Sequence, residues 1–250
     1  TGMETDNLLI EKQRGMSIEL GFAHFKGSKN DQISIIDVPG HEKFIQNMIA
    51  GMHSIELAIV VVAAGEGIMP QTIEHLDIIQ LLNIKKIIIA ITKCDLFPDE
   101  KEINLIETDI RSLIKLKTSV ANIKDNLPII RIDDSINSID RLKKSIEKCL
   151  GDGKEKFLQN NPRLFVDRSF TLKGFGTVVT GTLTNGNLSV GDSIIILPKK
   201  KSAKIRNMQI NGNDVKKGTA HSRLAINLQG VNKDQINRGD VIRPIKNDFI

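Results

Sequence analysis

With 40% hydrophobic and 26% charged residues across 250 positions, the chain can bury two ordinary cores, and two domains are expected. No apolar run is long enough to cross a bilayer, and Cys94 and Cys149 are too few for a disulfide framework or a clustered metal site, so a membrane-spanning protein and a stapled secreted scaffold are both excluded. A net charge of +5 and a pI near 9.1 suit a nucleic-acid partner and equally a solvated lysine-rich surface, and the opening Thr1-Gly2-Met3-Glu4 lacks the features of a signal peptide, leaving the cytoplasm as the expected compartment.

In chain order, Arg14-Gly15-Met16-Ser17-Ile18 precedes an alternating run at 33–37 that reads as a strand and ends in Asp37-Val38-Pro39-Gly40-His41. Phe44, Ile45, Met48 and Ile49 then form the apolar face of a helix. Residues 57–62 and 87–91 are continuous apolar runs, the pattern of parallel strands covered on both faces. Between them Pro70 starts a helix whose polar stripe, Gln71, Glu74, Asp77 and Gln80, lies opposite Leu76, Ile79 and Leu82. Thr92-Lys93-Cys94-Asp95 follows the second run. Ile103, Ile106, Ile110 and Leu113, and later Ile139, Leu142, Ile146 and Leu150, predict two amphipathic helices flanking a strand at 127–132. The first half is therefore read as α/β and doubly wound.

Gly151-Asp152-Gly153-Lys154 breaks this regime, and the expected division is 1–153, a linker at 154–162, and 163–250. Beyond Pro162 short β-rich runs alternate with turns, and Asn185-Gly186 and Asn211-Gly212 supply the positive φ angles of tight hairpins. An antiparallel β-barrel is predicted.

An acidic residue at a strand end beside a glycine and a histidine suits a phosphate and a magnesium ion. Asp37 would hold the ion through water, the Gly40 backbone would approach a terminal phosphate, and His41 would orient an attacking water. Asp95 carries two acceptor oxygens for the ring N–H and amine of guanine, and Lys93 can lay its stem along a purine. Ser17 offers a hydroxyl to magnesium. Each has a plainer alternative: polar residues ending a strand, a loop serine, an exposed residue at a helix start. His24, His53, His75 and His221 read as structural or surface residues.

The three elements around Ser17, Asp37 and Asp95 occur in the order found in translation-factor GTPases, which the chain resembles. Residues 11–23 and 167–181 are most similar to the selenocysteine-specific elongation factors, while 37–44 and Glu66-Gly67-Ile68-Met69-Pro70-Gln71-Thr72 are shared more widely. The resemblance covers nearly the whole chain. It implies a GTP/GDP site with Mg2+, formed by Ser17, Asp37, Gly40, Thr92, Lys93, Asp95 and Asp134, with His41 arranging the hydrolytic water once the ribosome has positioned it. It also implies delivery of selenocysteyl-tRNA to the ribosome at a recoded stop codon, with Asp167, Arg168 and Arg223 lining the aminoacyl pocket and the two guanidinium groups favouring a selenolate.

The sequence departs from that pattern in three ways. No Gly-x-x-x-x-Gly-Lys-Ser/Thr occurs; because Thr1-Gly2-Met3-Glu4-Thr5-Asp6 resembles the family just after the missing helix, the first strand, loop and helix are expected upstream of Thr1, with inactivity and instability of these residues alone as the consequence. Recognition of a selenocysteine insertion RNA element would belong to domains absent here. Asp133-Asp134 stands where the family has Ser-Ala: the Asp134 N–H keeps its donor role, but two carboxylates beside the base would weaken guanine selectivity. The remaining alternatives are another tRNA-delivering translation GTPase and a non-hydrolysing RNA-binding remnant.

Overall fold

A computed structural model describes residues 2–6, 8–14, 16–28, 32–52, 55–97, 99–117, 127–151 and 161–245. The chain divides into two compact units, Thr1–Ile49 with Ile55–Gly153, and Lys154–Ile250 with Ala50–Ser54. Most of the expected linker, 154–160, lies outside the described residues, as do Gly15 and His53.

The first unit opens with a short helix α1 (Leu9–Arg14) and an antiparallel hairpin of β1 (Gly21–Lys26) and β2 (Gln32–Asp37). A 3-10 turn (Glu42–Phe44) leads into α2 (Ile45–Met52). Three parallel strands follow, β3 (Ala58–Ala63), β4 (Ile87–Thr92) and β5 (Ile129–Arg131), in that spatial order. Helices α3 (Pro70–Leu81), α4 (Glu100–Lys117) and α5 (Ile136–Leu150) connect and flank them. Residues 87–91 of β4 are buried on both faces, as its unbroken apolar run predicts.

Two expectations need correction. β3 is not covered on both faces: Ala58, Val60 and Val62 are buried, but Val61 is 60% exposed on the opposite face, which is left open among the described residues. In α5 Ile146 faces inward, yet Ile139 is 39% exposed because Ser138, fully buried, takes the inward position of the first turn. The Ser138 hydroxyl is held between the Asp133 and Ser135 carbonyls, each 2.9 Å away, which satisfies a buried polar group at the helix start.

The second unit is a closed antiparallel barrel. Six strands form its wall: β6 (Arg163–Leu172), β7 (Gly176–Thr184), β9 (Ser193–Leu197), β10 (Lys201–Ile210), β13 (Arg223–Gln229) and β14 (Val241–Pro244). β8 (Asn187–Ser189) pairs with β12 (Lys217–Thr219), and β11 (Asn213–Asp214) extends the edge of β10. The ladder runs β10-β13-β7-β6-β14-β9 and closes because β9 also pairs with β10. Both Asn-Gly pairs adopt positive φ, 55° and 61° at Asn185 and Gly186, and 50° and 82° at Asn211 and Gly212, but only Asn211-Gly212 closes a two-residue hairpin, between β10 and β11; Asn185-Gly186 turns β7 into β8, which pairs with β12 instead. Leu164, Val179, Leu183, Ile194, Ile196, Leu224, Ile226 and Ile242 fill the interior.

Candidate functional site

The carboxyl ends of parallel strands leave their loops free to build a site, and here three such loops are laced together. The Ala64 N–H donates to the Thr92 carbonyl at 2.9 Å, joining the end of β3 to that of β4. The Cys94 N–H donates to the Ile132 carbonyl at 3.2 Å, joining β4 to β5. Thr92, Lys93, Asp95 and Asp134 are thereby gathered along one end of the sheet. Lys93 has φ of 60°, an uncommon conformation for a residue with a side chain, and its ammonium lies 3.7 Å from Glu66 in the loop after β3. Asp95 and Asp134 are exposed. Cys94 is half-buried, and burial pushes its thiol above the ordinary range.

The two carboxylates of Asp133-Asp134 do not both face outward. Asp133 accepts from the backbone N–H of Ser135 at 2.9 Å and from its hydroxyl, which holds the Asp133 carboxyl below the ordinary Asp range. That carboxylate is thus committed to the start of α5 and held ionised, so its charge remains next to that of Asp134.

Ser17 and Asp37 are brought into one neighbourhood by two residues whose importance the sequence did not reveal. The Thr5 hydroxyl donates to Asp37 Oδ2 at 2.7 Å, and the Ser17 hydroxyl donates to Asp6 Oδ1 at 2.9 Å. Gly21, paired with Asp37 across the hairpin, makes room: a Cβ there would meet Thr5 Cβ at 2.6 Å. The Ser17 and Asp37 oxygens are hard donors, the kind magnesium takes, and two of them suffice for an ion that keeps waters and phosphates as its other ligands. Among the described residues no cluster of three or more His, Cys, Asp or Glu forms an all-protein cage.

Gly40 and His41 are tied to α3. His75 Nε2 donates to the Gly40 carbonyl at 3.2 Å, so His75, read as a structural or surface residue, holds the backbone on which His41 depends. A histidine inside an amphipathic helix carries no sequence signal of such a contact. His41 caps the following 3-10 turn, its Nδ1 accepting from the Lys43 N–H at 3.2 Å, and its ring is tilted against Phe44. This places the proton of a neutral His41 on Nε2.

In the barrel, Asp167 sits at a bulge of β6 and is 7% exposed. Arg223 grips it with two nitrogens, at 3.2 and 3.0 Å, and Thr180 adds its hydroxyl. The pair is buried and is not a surface salt bridge. Burial pushes the Arg223 guanidinium below its ordinary value; Asp167 opposes this and the like charge of Arg168 adds to it.

The family model for the elongation factor Tu GTP binding domain matches residues 1–226. The chain belongs to that family. It is 37% identical over 243 residues to the selenocysteine-specific elongation factor of Desulfomicrobium baculatum, covering 97% of this chain and 37% of that protein. With the corresponding factor of Escherichia coli (strain K12) it shares 36% over 241 residues, 96% of this chain and 38% of the relative. Two solved structures match the fold: a bacterial selenocysteine-specific elongation factor, with a TM-score of 0.88 at 38% identity over 97% of this chain and 41% of that one, and the elongation factor SelB of Methanococcus maripaludis in complex with the GTP analogue GPPNHP, with a TM-score of 0.82 at 35% identity over 91% and 49%. The chain spans less than half the length of these relatives.

Proposed function

We propose that the chain is part of a selenocysteine-specific elongation factor, with a nucleotide-handling region at 1–153, a connecting segment at 154–162 and an aminoacyl-tRNA-binding barrel at 163–250. The observation that carries this reading is the lacing of the β3, β4 and β5 loops, which gathers Thr92, Lys93, Asp95 and Asp134, together with 36–37% identity to such factors. Asp95 accepts the ring N–H and amine of guanine, Lys93 covers one face of the base, Thr92 supports the turn, and the Asp134 N–H reaches the exocyclic oxygen.

Ser17 and Asp37 would hold a magnesium ion, Asp37 through water; when bound, the ion supplies positive charge to the β- and γ-phosphates. The Gly40 N–H faces the terminal phosphate, and His41 orients the attacking water from Nε2. By themselves these 250 residues hold no phosphate-binding loop and would not hydrolyse GTP. In the barrel, Arg168 follows the buried Asp167–Arg223 pair in the chain, and the second guanidinium leaves a net positive charge suited to an ionised selenol. The cytoplasm, selenocysteyl-tRNA and the ribosome complete the reading; an insertion RNA element would be read by other domains.

The test uses the protein as the cell makes it. GTP turnover on programmed ribosomes is expected to require selenocysteyl-tRNA over seryl-tRNA and to fall at least a hundredfold in His41→Ala. Equal use of both tRNAs favours another tRNA-delivering GTPase, and no turnover with any tRNA favours a non-hydrolysing remnant.

A further inference from the structure

We propose that Glu11 is a positioning residue for the nucleotide reaction, its carboxylate fixing the backbone around Ser17; the inference rests on the nucleotide reading above. Glu11 is 2% exposed, a degree of burial that carboxylates tolerate only when their oxygens are hydrogen-bonded. Its Oε2 accepts from the Leu8 N–H at 2.8 Å. This is a local bond, the third residue of α1 reaching back to the residue before the helix.

The other bonds are not capping. Oε1 accepts from the N–H groups of both Ile18 and Glu19, each at 2.9 Å. These are the two peptide units directly after Ser17, and they lie in a stretch without regular structure, where no helix or strand ladder claims them. On the other side of Ser17, the Met16 N–H donates to the Glu11 backbone carbonyl at 3.3 Å. One residue therefore holds the chain before and after the serine. Asn47 of α2 donates to the Ile18 carbonyl at 2.8 Å and ties the same stretch to the helix that follows His41.

These contacts serve the placement of a hydroxyl, and reaction rates are sensitive to displacements of about an ångström. Loss of the Glu11 carboxylate would free the Ile18 and Glu19 amides and let Ser17 drift. The guanine-facing loops, on other strands, would be untouched. The defect would therefore fall on magnesium-dependent turnover and spare affinity for the base.

The test compares wild type, Glu11→Gln and Glu11→Ala in the protein as the cell makes it, with two readouts. Amide hydrogen exchange at Ile18 and Glu19 is expected to accelerate at least tenfold in Glu11→Ala while the β4 amides remain slow. The magnesium concentration giving half-maximal GTP turnover is expected to rise at least fivefold with GDP affinity unchanged within twofold, and Glu11→Gln, which keeps one acceptor oxygen, is expected to fall between. Unchanged exchange overturns the clamp. Faster exchange with an unchanged magnesium dependence reduces Glu11 to a structural role and overturns the proposal. If wild type turns over no GTP, the nucleotide reading fails and the positioning role with it, while the exchange data still read the clamp. Should Glu11→Ala lose slow exchange in β4 as well, it has unfolded, and Glu11→Gln decides.

Discussion

The barrel and the α/β unit solve the edge problem of β-structure differently. In the barrel each of the six wall strands has a neighbour on both sides and its interior residues are fully covered. In the α/β unit the described strands form two separate sheets, a hairpin and a three-stranded sheet, and β3 shows Val61 on an open face. Charge divides as unevenly. Residues 163–245 contain fourteen Lys and Arg against five Asp and Glu, +9, leaving twenty-one against twenty-five, −4, for the other residues of the chain. The modest net charge of the whole thus hides a strongly cationic, closed module suited to a polyanion such as RNA and an acidic one that carries the loops proposed to face a nucleotide.

The sharpest break in that comparison comes from buried charge. Asp167→Ala strands the Arg223 guanidinium in the barrel and is expected to cost about 3–5 kcal/mol in urea unfolding, whereas Glu66→Gln, which breaks an exposed pair with Lys93, should cost less than about 1 kcal/mol. A smaller difference is expected from apolar truncation. Ile226→Ala in the sealed barrel should cost about 2–5 kcal/mol by cavity formation, and Val61→Ala within about 0.5 kcal/mol, so equal losses would show that β3 is covered after all.

Charge reversal reads the electrostatic half of the contrast. Lys204→Glu with Arg206→Glu, both exposed on β10, should weaken RNA binding at low salt and flatten its salt dependence by roughly 0.7 log units per lost phosphate contact. The same reversal at Lys143 and Lys144 of α5 should change neither. The smallest effect is a titration. Asp133 has a depressed folded-state value, so its contribution at the start of α5 is present above the ordinary Asp range and is lost as pH falls through that depressed value; Ser135→Ala should move its NMR-detected titration back up.

Local chemistry made much of this legible in the sequence. The unbroken run of β4 implied burial on both faces, and Asn211-Gly212 marked the hairpin of β10 and β11, because each depends on neighbours in the chain. What escaped depends on distant partners. The run at β3 looks the same as that at β4, but the cover of each face is set by what packs on it from elsewhere in the chain. Ser138 displaces Ile139 from the inward face only because the Asp133 and Ser135 carbonyls await its hydroxyl. Thr5, Asp6 and His75 acquire meaning from residues that are respectively 32, 11 and 35 positions away. Asp167 and Arg223 are 56 positions apart and meet because β7 pairs with both β6 and β13.

Nucleotide preference in Asp95→Asn addresses the site most directly, measured by calorimetry on the protein as the cell makes it. Wild type should bind GTP and GDP well and ATP poorly. An amide in place of the carboxylate still accepts the ring N–H but presents a donor to the position of the guanine amine, so Asp95→Asn should lose at least tenfold in GTP affinity and gain in affinity for xanthosine triphosphate, whose oxygen accepts that donor. Unchanged GTP affinity in Asp95→Asn, or equal wild-type binding of GTP and ATP, would contradict the placement of a guanine base against Asp95.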